Sequence, residues 1–273
     1  MCLPLSAWSE ASKASILGLI TDIDDTLTDG GQLAVQARDA LVALKDANIP
    51  VLAVTGRPVG WSLRWLSDNP ARGEKAWPLM GIVAENGAVA LRQESGGQIS
   101  RIYRDDADTR KIHYRQLQDA LQMVEAAMPQ ARRADDSAGR ETDIAIDHSE
   151  HHRLDPEEIQ KVAALLQSQG LRVSVSSIHI NAWLGHHDKW VGACWALQAW
   201  LGRSLPLELS HWVYVGDSSN DEAMFRHMPF SVGVANIAPF LSRMQHRPRY
   251  ITQFERGLGF AEVAKALLDA RQV

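Results

Sequence analysis

Asp22 and Asp24 stand two residues apart just past the apolar run Ile16-Leu17-Gly18-Leu19-Ile20. An extended chain sends both carboxylates to the same side, and the turn that follows can bring backbone carbonyls alongside them. Like charges held that close repel. The repulsion is offset by a divalent cation, by a nearby lysine, or by keeping one carboxylate partly protonated. Alone, the pair reads equally well as a strand-end turn whose Asp side chains cap backbone N–H groups. Three further segments favour chemistry: Thr55-Gly56-Arg57 after a second apolar run, Lys189 at the start of a helical pattern, and Gly216-Asp217-Ser218-Ser219-Asn220-Asp221 after a third run. Thr55 offers a hydroxyl, and Gly56 a backbone N–H that an anion can approach with no side chain in the way. Lys189 is the only lysine between Lys161 and Lys265, a point cation suited to holding phosphate and lowering a carboxylate's pKa. Arg57 either reaches a ligand or braces an acid, and Ser218 is read as turn chemistry.

These residues need elements to position them. Ile16 to Ile23 reads as a buried strand, Val35 to Ala47 as an amphipathic helix with Val35, Leu41 and Leu44 inward, and Pro50 to Val54 as the next strand. That βαβ unit puts Asp22, Asp24 and Thr55 at the carboxyl ends of neighbouring parallel strands, where open α/β sheets bind ligands. Ile82 to Ala84 is a third strand. The pattern then changes for about a hundred residues, too long for a loop in a compact domain. Within that stretch Thr109 to Met128 reads as a helix, Thr142 to Asp147 as a strand, Asp155 to Gln169 as a second helix, and Leu171 to Ser177 with Ile178 to Leu184 as paired strands. The Ser/Gly patch Glu94 to Gln98 reads as a hairpin turn in this insert. A helix from Lys189 to Leu201, with Val191, Cys194, Leu197 and Leu201 inward, then resumes the core, followed by strand Trp212 to Val215. The expected fold is α/β: a Rossmann-like, mostly parallel sheet core (1–87 and 187–273) carrying an inserted α+β cap domain (88–186).

Composition narrows the partners. With 28 basic and 33 acidic residues and no long basic run, neither nucleic acid nor an anionic membrane is the expected partner. Two cysteines, Cys2 and Cys194, support no disulfide framework and fit a reducing compartment. No leader-like segment and no membrane-spanning run is read in the chain, so the expected location is cytoplasmic. The nine tryptophans are read as core packing. The clusters Asp147-His148-Ser149-Glu150-His151-His152 and His186-His187-Asp188 lack the helical i,i+4 spacing of a zinc motif and read as polar loops or substrate contacts.

In their order along the chain, the four segments resemble the signature of the haloacid dehalogenase superfamily of aspartate-nucleophile phosphotransferases. Ala84-Glu85-Asn86-Gly87-Ala88 and Val234-Ala235-Asn236 resemble further landmarks of its large-cap phosphatase branch, Cof-type and sucrose-phosphatase-like. The resemblance implies Asp22 as nucleophile and Asp24 as general acid and base, a division that spacing alone does not decide. It implies phosphate binding by Thr55, Gly56 and Lys189, with Mg²⁺ held by Asp22, the backbone carbonyl of Asp24, and Asp217. Asp221, Asn220 and Arg57 would support them, and Asp221 would orient a ligand water or Lys189. His186, His187, Asn181 and Arg140 are weaker candidates for gripping the substrate, as are Arg133 and His179. The implied reaction is Mg²⁺-dependent hydrolysis of a small phosphate ester, a sugar phosphate, through an aspartyl-phosphate. The alternatives are a phosphosugar mutase and a catalytically silent phosphate sensor. One departure matters: the family has glycine after the second catalytic aspartate, whereas this chain has Asp25, expected to point away and cap the turn.

Overall fold

A computed structural model of the chain describes residues 2–271. Nine strands form a large sheet in the order Leu3–Pro4, Tyr250–Ile251, Ser231–Gly233, Trp212–Gly216, Gly18–Thr21, Val51–Val54, Gly81–Ala84, Val89–Gln93 and Ile99–Tyr103. The pairing is parallel as far as Gly81–Ala84 and antiparallel for the last two strands. The central strands are buried along their whole length, as expected of a sheet covered on both faces. Successive side chains enter opposite cores. Leu19, Ala53, Ile82 and Val215 pack with Leu41, Leu44, Phe260 and Leu267 on one face, and Ile20, Leu52, Val83 and Tyr214 with Ala196, Leu197 and Met224 on the other.

Register brings the motifs together. Thr21 pairs with Ala53 on one side and Val215 on the other, so Asp22, Thr55 and Asp217 leave three neighbouring strands at the same carboxyl edge. The Asp22 N–H still donates to the Val215 carbonyl at 2.9 Å and the Thr55 N–H to that of Val83 at 2.9 Å, which fixes each residue at its strand end.

The insert has its own four-stranded antiparallel sheet, ordered Arg172–Val175, His179–Trp183, Asp143–Asp147, Arg132–Arg133. Ile144, Ile146, Ile180 and Ala182 bury against Leu117, Leu121 and Val124 of the helix Ala107–Ala127 and Val162 and Leu166 of the helix Pro156–Ser168. Asp155 starts the second helix with a reciprocal capping box to Glu158, which satisfies two terminal N–H groups. The residues between, Asp143, Asn181 and His179, form a polar opposite face lying on the carboxyl edge of the large sheet.

Three expectations need correction. The hairpin through Glu94 to Gln98 does not belong to the insert: its strands extend the large sheet, because Val89, Ala90 and Leu91 complete the core beside Gly81–Ala84. The insert's start is therefore best drawn after Tyr103 rather than at 88. Val35 is 58% exposed, since it is the first residue of its helix and lies beyond the sheet's reach. On the Lys189–Leu201 helix the innermost side chains are Gly192, Ala193, Ala196 and Leu197, with Leu201 exposed. Small residues face inward because the helix touches backbone. A Cβ on Gly192 would lie 2.4 Å from the Gly87 Cα, and one on Gly87 (φ +108°) would lie 2.2 Å from the Asp188 carbonyl oxygen. No helix among the described residues is long and apolar enough to cross a membrane.

Candidate active site

The close approach of Gly87 to Gly192 seats the first turn of the Lys189 helix against the strand ends. From there the buried Lys189 Nζ lies 2.8 Å from Asp22 Oδ1 and donates to Asp221 Oδ1 at 2.7 Å. Asp221 has four donors: Lys189, the Tyr214 hydroxyl, and the N–H groups of Asp217 (2.8 Å) and Ser218 (3.1 Å). It is saturated, and it holds Lys189 and the Asp217 turn in place. Gly216 permits that turn, since a Cβ there would meet Asp221 Oδ2 at 2.3 Å. Ser218 closes a capping box with Asp221 and donates to Asn220 Oδ1 at 2.9 Å, in keeping with turn chemistry.

Asp22, Asp217 and Asp221 each place an oxygen within 4.8 Å of the others, all three buried. Lys189 is the one cation in contact with this group among the described residues. Among the described residues, Asp217 receives only the Thr26 hydroxyl at 3.4 Å and the Asn236 amide at 3.5 Å. Burial, then the charges of Asp221 and Asp22, push its carboxyl far above the usual range. Burial likewise pushes Asp22 up to about 7, with Asp221 and Asp24 adding to the rise and Lys189 opposing it. A buried carboxylate this poorly supplied with donors is suited to an added hard cation, which takes oxygen ligands and removes the repulsion. The cluster fits a divalent metal. Asp22 and Asp217 have coordination capacity to spare and Asp221 does not.

The second motif forms the adjoining wall. Thr55 is buried and its hydroxyl oxygen accepts the Arg57 N–H at 3.0 Å, leaving its O–H to donate. Arg57 braces Asp24: Nε lies 3.0 Å from both carboxylate oxygens and Nη2 2.9 Å from Oδ1. Its outer edge reaches the insert, with Nη2 donating to Glu150 at 2.7 Å and Nη1 to Asp136 at 3.1 Å. Arg140 and Asn181 brace as well. Both donate to the Gly56 carbonyl, at 3.0 and 3.2 Å, and both reach Asp143.

A family model for haloacid dehalogenase-like hydrolases matches residues 19–125, the stretch that carries Asp22, Asp24 and Thr55. Over that stretch the chain is similar to the haloacid dehalogenase-like hydrolases. A phosphoglycolate phosphatase from Methanobrevibacter smithii is 25% identical over 235 residues, 84% of this chain and 90% of that protein. Among solved structures, a HAD/COF-like hydrolase from Plasmodium vivax has the same fold with a TM-score of 0.68 at 20% identity, covering 95% of this chain and 99% of that one. The sucrose-phosphatase from Synechocystis, solved with sucrose and phosphate, superimposes with a TM-score of 0.63 at 20% identity, over 92% and 97% of the two chains.

The structure does not bring every candidate to the cup. His186 is exposed on the connecting turn. His187 is buried against Trp183, ring centroids 5.7 Å apart, and burial, followed by the charges of Arg104, Arg172 and His113, holds it down to about 3. It is a packed, neutral histidine. Arg133 is committed to Glu125 at 2.8 Å on the insert's outer side, and His179 faces Glu150 at 2.8 Å. Asp25 adopts φ 53°, the left-handed region where glycine is at ease. Its carboxylate meets Arg256 at 3.1 Å and its carbonyl accepts the Asn236 amide at 3.0 Å. It is held by that ion pair rather than by capping the turn, and its charge adds to the rise of the Asp217 carboxyl in the cup, so it is not turned wholly away from it as expected.

Residues with no role at the site expected from sequence sit on the insert and its landing loop. Asp136 and Asp143 are single acids with no spacing motif, and Glu150 lies in a cluster expected to be a polar loop or substrate contact. Glu85 accepts the N–H groups of Val59, Glu141 and Thr142, at 3.0, 3.0 and 2.6 Å, and the Thr142 hydroxyl. Its neighbour Asn86 was the available signal: an Asn-Gly pair following a buried strand announces left-handed backbone, and both Glu85 and Asn86 adopt it.

Proposed function

We propose that this phosphatase is a Mg²⁺-dependent phosphomonoesterase that hydrolyses a small sugar phosphate through an aspartyl-phosphate. The observation that carries the reading is the buried cup in which Lys189 touches Asp22 at 2.8 Å while Asp217, beside it, has no donor nearer than 3.4 Å among the described residues. Asp22 Oδ attacks phosphorus as the bond to the leaving oxygen breaks. The electron pair stays on that oxygen, which takes a proton from Asp24. Water then attacks the aspartyl-phosphate, Asp24 accepts its proton, and phosphate leaves with the Asp22 carboxylate restored. Lys189, the Thr55 hydroxyl and the Gly56 N–H surround the transferring group and stabilise its charge. Asp22, Asp217 and the backbone carbonyl of Asp24 would hold Mg²⁺, whose chemistry here is to neutralise charge on the phosphate oxygens. We place the enzyme in the cytoplasm, a reading supported by its two free thiols.

Substrate class is argued from what faces Lys189. A cavity of about 260 Å³ is lined by Lys189, Asn86, Asn220, Ser174, Trp183 and Arg172, near the lower end of the roughly 300–1,000 Å³ of small-molecule sites. Its amides, hydroxyl and indole suit one polyhydroxylated ring, while Arg57 and Arg140 are already committed to carboxylates. Arg172 favours a second reading. It is half-exposed, 3.7 Å from Asp188, and could instead take a substrate carboxylate such as that of phosphoglycolate. The deciding experiment is phosphate release from hexose phosphates and phosphoglycolate, with Mg²⁺ and with chelator, beside Asp22→Asn. We expect turnover that needs Mg²⁺ and falls at least about a thousandfold in Asp22→Asn; equal turnover by the variant would end the mechanism.

A further inference from the structure

Arg57 is one cation held between the core and the insert. The edge formed by Nε and Nη2 lies against Asp24, and the outer hydrogens of Nη1 and Nη2 point to Asp136 and Glu150. Among the described residues no other side chain hydrogen-bonds the Asp24 carboxylate. The orientation of Asp24 is thus set by a guanidinium whose far side is fixed by another part of the molecule. We infer that Glu150 and Asp136, carried by the insert, are positioning residues that aim Asp24 through Arg57. The inference rests on the reading that Asp24 protonates the leaving group.

The insert's half of this fixture is rigid. Asp147 is buried and accepts four consecutive N–H groups, from Ser149 (3.0 Å), Glu150 (2.8 Å), His151 (2.8 Å) and His152 (3.1 Å), so the loop that presents Glu150 is wound around a carboxylate. Glu150 also meets His179 at 2.8 Å. Asp136 is held from behind by Arg140, at 2.9 and 3.2 Å, and Arg140 is pinned to Asp143 at 2.8 Å. The two carboxylates are fixed receivers, and the planar Arg57 fork transmits their position to Asp24. A docking role alone would need no second edge on Asp24.

Leaving-group chemistry separates positioning from docking. An alkyl phosphate expels an alkoxide that must be protonated, whereas 4-nitrophenyl phosphate expels a stable phenolate. The ratio kcat/KM reports only the steps up to leaving-group departure, so the second half of the reaction does not blur the comparison. Glu150→Ala should lower the alkyl-to-aryl ratio of kcat/KM about tenfold or more, within the roughly 10²–10⁴ that a general acid contributes. Glu150→Gln, which keeps an acceptor for the fork, should recover part of the loss. Should Glu150→Ala fail to fold, Arg57→Lys, which keeps the charge but offers no fork, carries the same expectation. Equal loss on both esters, or an unchanged ratio in a folded variant, overturns the positioning role and leaves the phosphatase reading standing. A wild-type enzyme that cleaves neither ester overturns both.

Discussion

Two groups of carboxylates, one partly buried and one fully buried, lie side by side in this molecule and are treated in opposite ways. At the interface between core and insert, Asp24, Asp136, Asp143 and Glu150 each receive a guanidinium N–H, at 2.9, 2.9, 2.8 and 2.7 Å respectively. In the cup, Asp217 has, among the described residues, only a hydroxyl at 3.4 Å and an amide at 3.5 Å. The protein could have placed an arginine in both and did so in one. A fully paired group holds parts together, and an under-supplied one is a place for something the chain does not encode. The pKa directions follow at Asp136 and Glu150, while complete burial raises Asp143 to about 7 despite its Arg140 partner. Glu150 is held down to about 2, because hydrogen bonds from His179 and Arg57 outweigh its burial, whereas burial drives Asp217 far up.

Neutralising one carboxylate in each group should therefore move stability in opposite directions. Asp136→Asn leaves Arg57 and Arg140 short of a partner and should cost about 3 kcal/mol. Asp217→Asn in metal-free protein removes a buried, repelled charge and should raise stability by about 1 kcal/mol. Urea denaturation measures both, and the same sign for the two would break the comparison. Varying the pH sharpens it. Glu150 has a folded pKa of about 2 against an ordinary 4.5, so it contributes stability above pH 4.5 that is lost as pH falls toward 2, about 1 kcal/mol once solvent screening of this partly exposed group is allowed for. Asp22, raised from 3.8 to about 7, acts the other way: metal-free protein should lose stability as pH rises from about 4 to 7. Glu150→Gln should flatten the acid limb and saturating Mg²⁺ the neutral one, both read from denaturation midpoints. The smallest expected effect is at Asp25. With φ 53°, Asp25→Ala should cost about 1 kcal/mol in thermal melting, while Asp25→Gly should lose the Arg256 pair, relieve the backbone and change stability by less.

The cup was legible in the sequence because chemistry there is tied to strand ends: a buried apolar run fixes where Asp22, Thr55 and Asp217 emerge, and parallel pairing does the rest. Lys189 was legible from its place at a helix start. Arg57 could be read as a brace but not assigned its partners, since the three carboxylates it meets lie 33, 79 and 93 residues away and no local pattern marks them. The hairpin from Val89 to Tyr103 is legible as a hairpin but its sheet is not, because period-two alternation says that a strand has a buried face and not which sheet buries it. The packing of His187 is not legible either, because proximity in sequence to Lys189 says nothing about side-chain direction on a turn.

The three-residue loop Glu85-Asn86-Gly87 joins more of the molecule than its length suggests. Glu85 ties together the start of the Val59 helix and the insert's Glu141 and Thr142, Asn86 reaches Asp143 at 3.1 Å, and Gly87 seats the Lys189 helix. Exchanging this insert for another is therefore not a matter of splicing at the two connections. A transplanted domain that did not offer two backbone N–H groups to Glu85 would strand a carboxylate deep inside the chimera, so functional hybrids should retain the native Glu141-Thr142 corner.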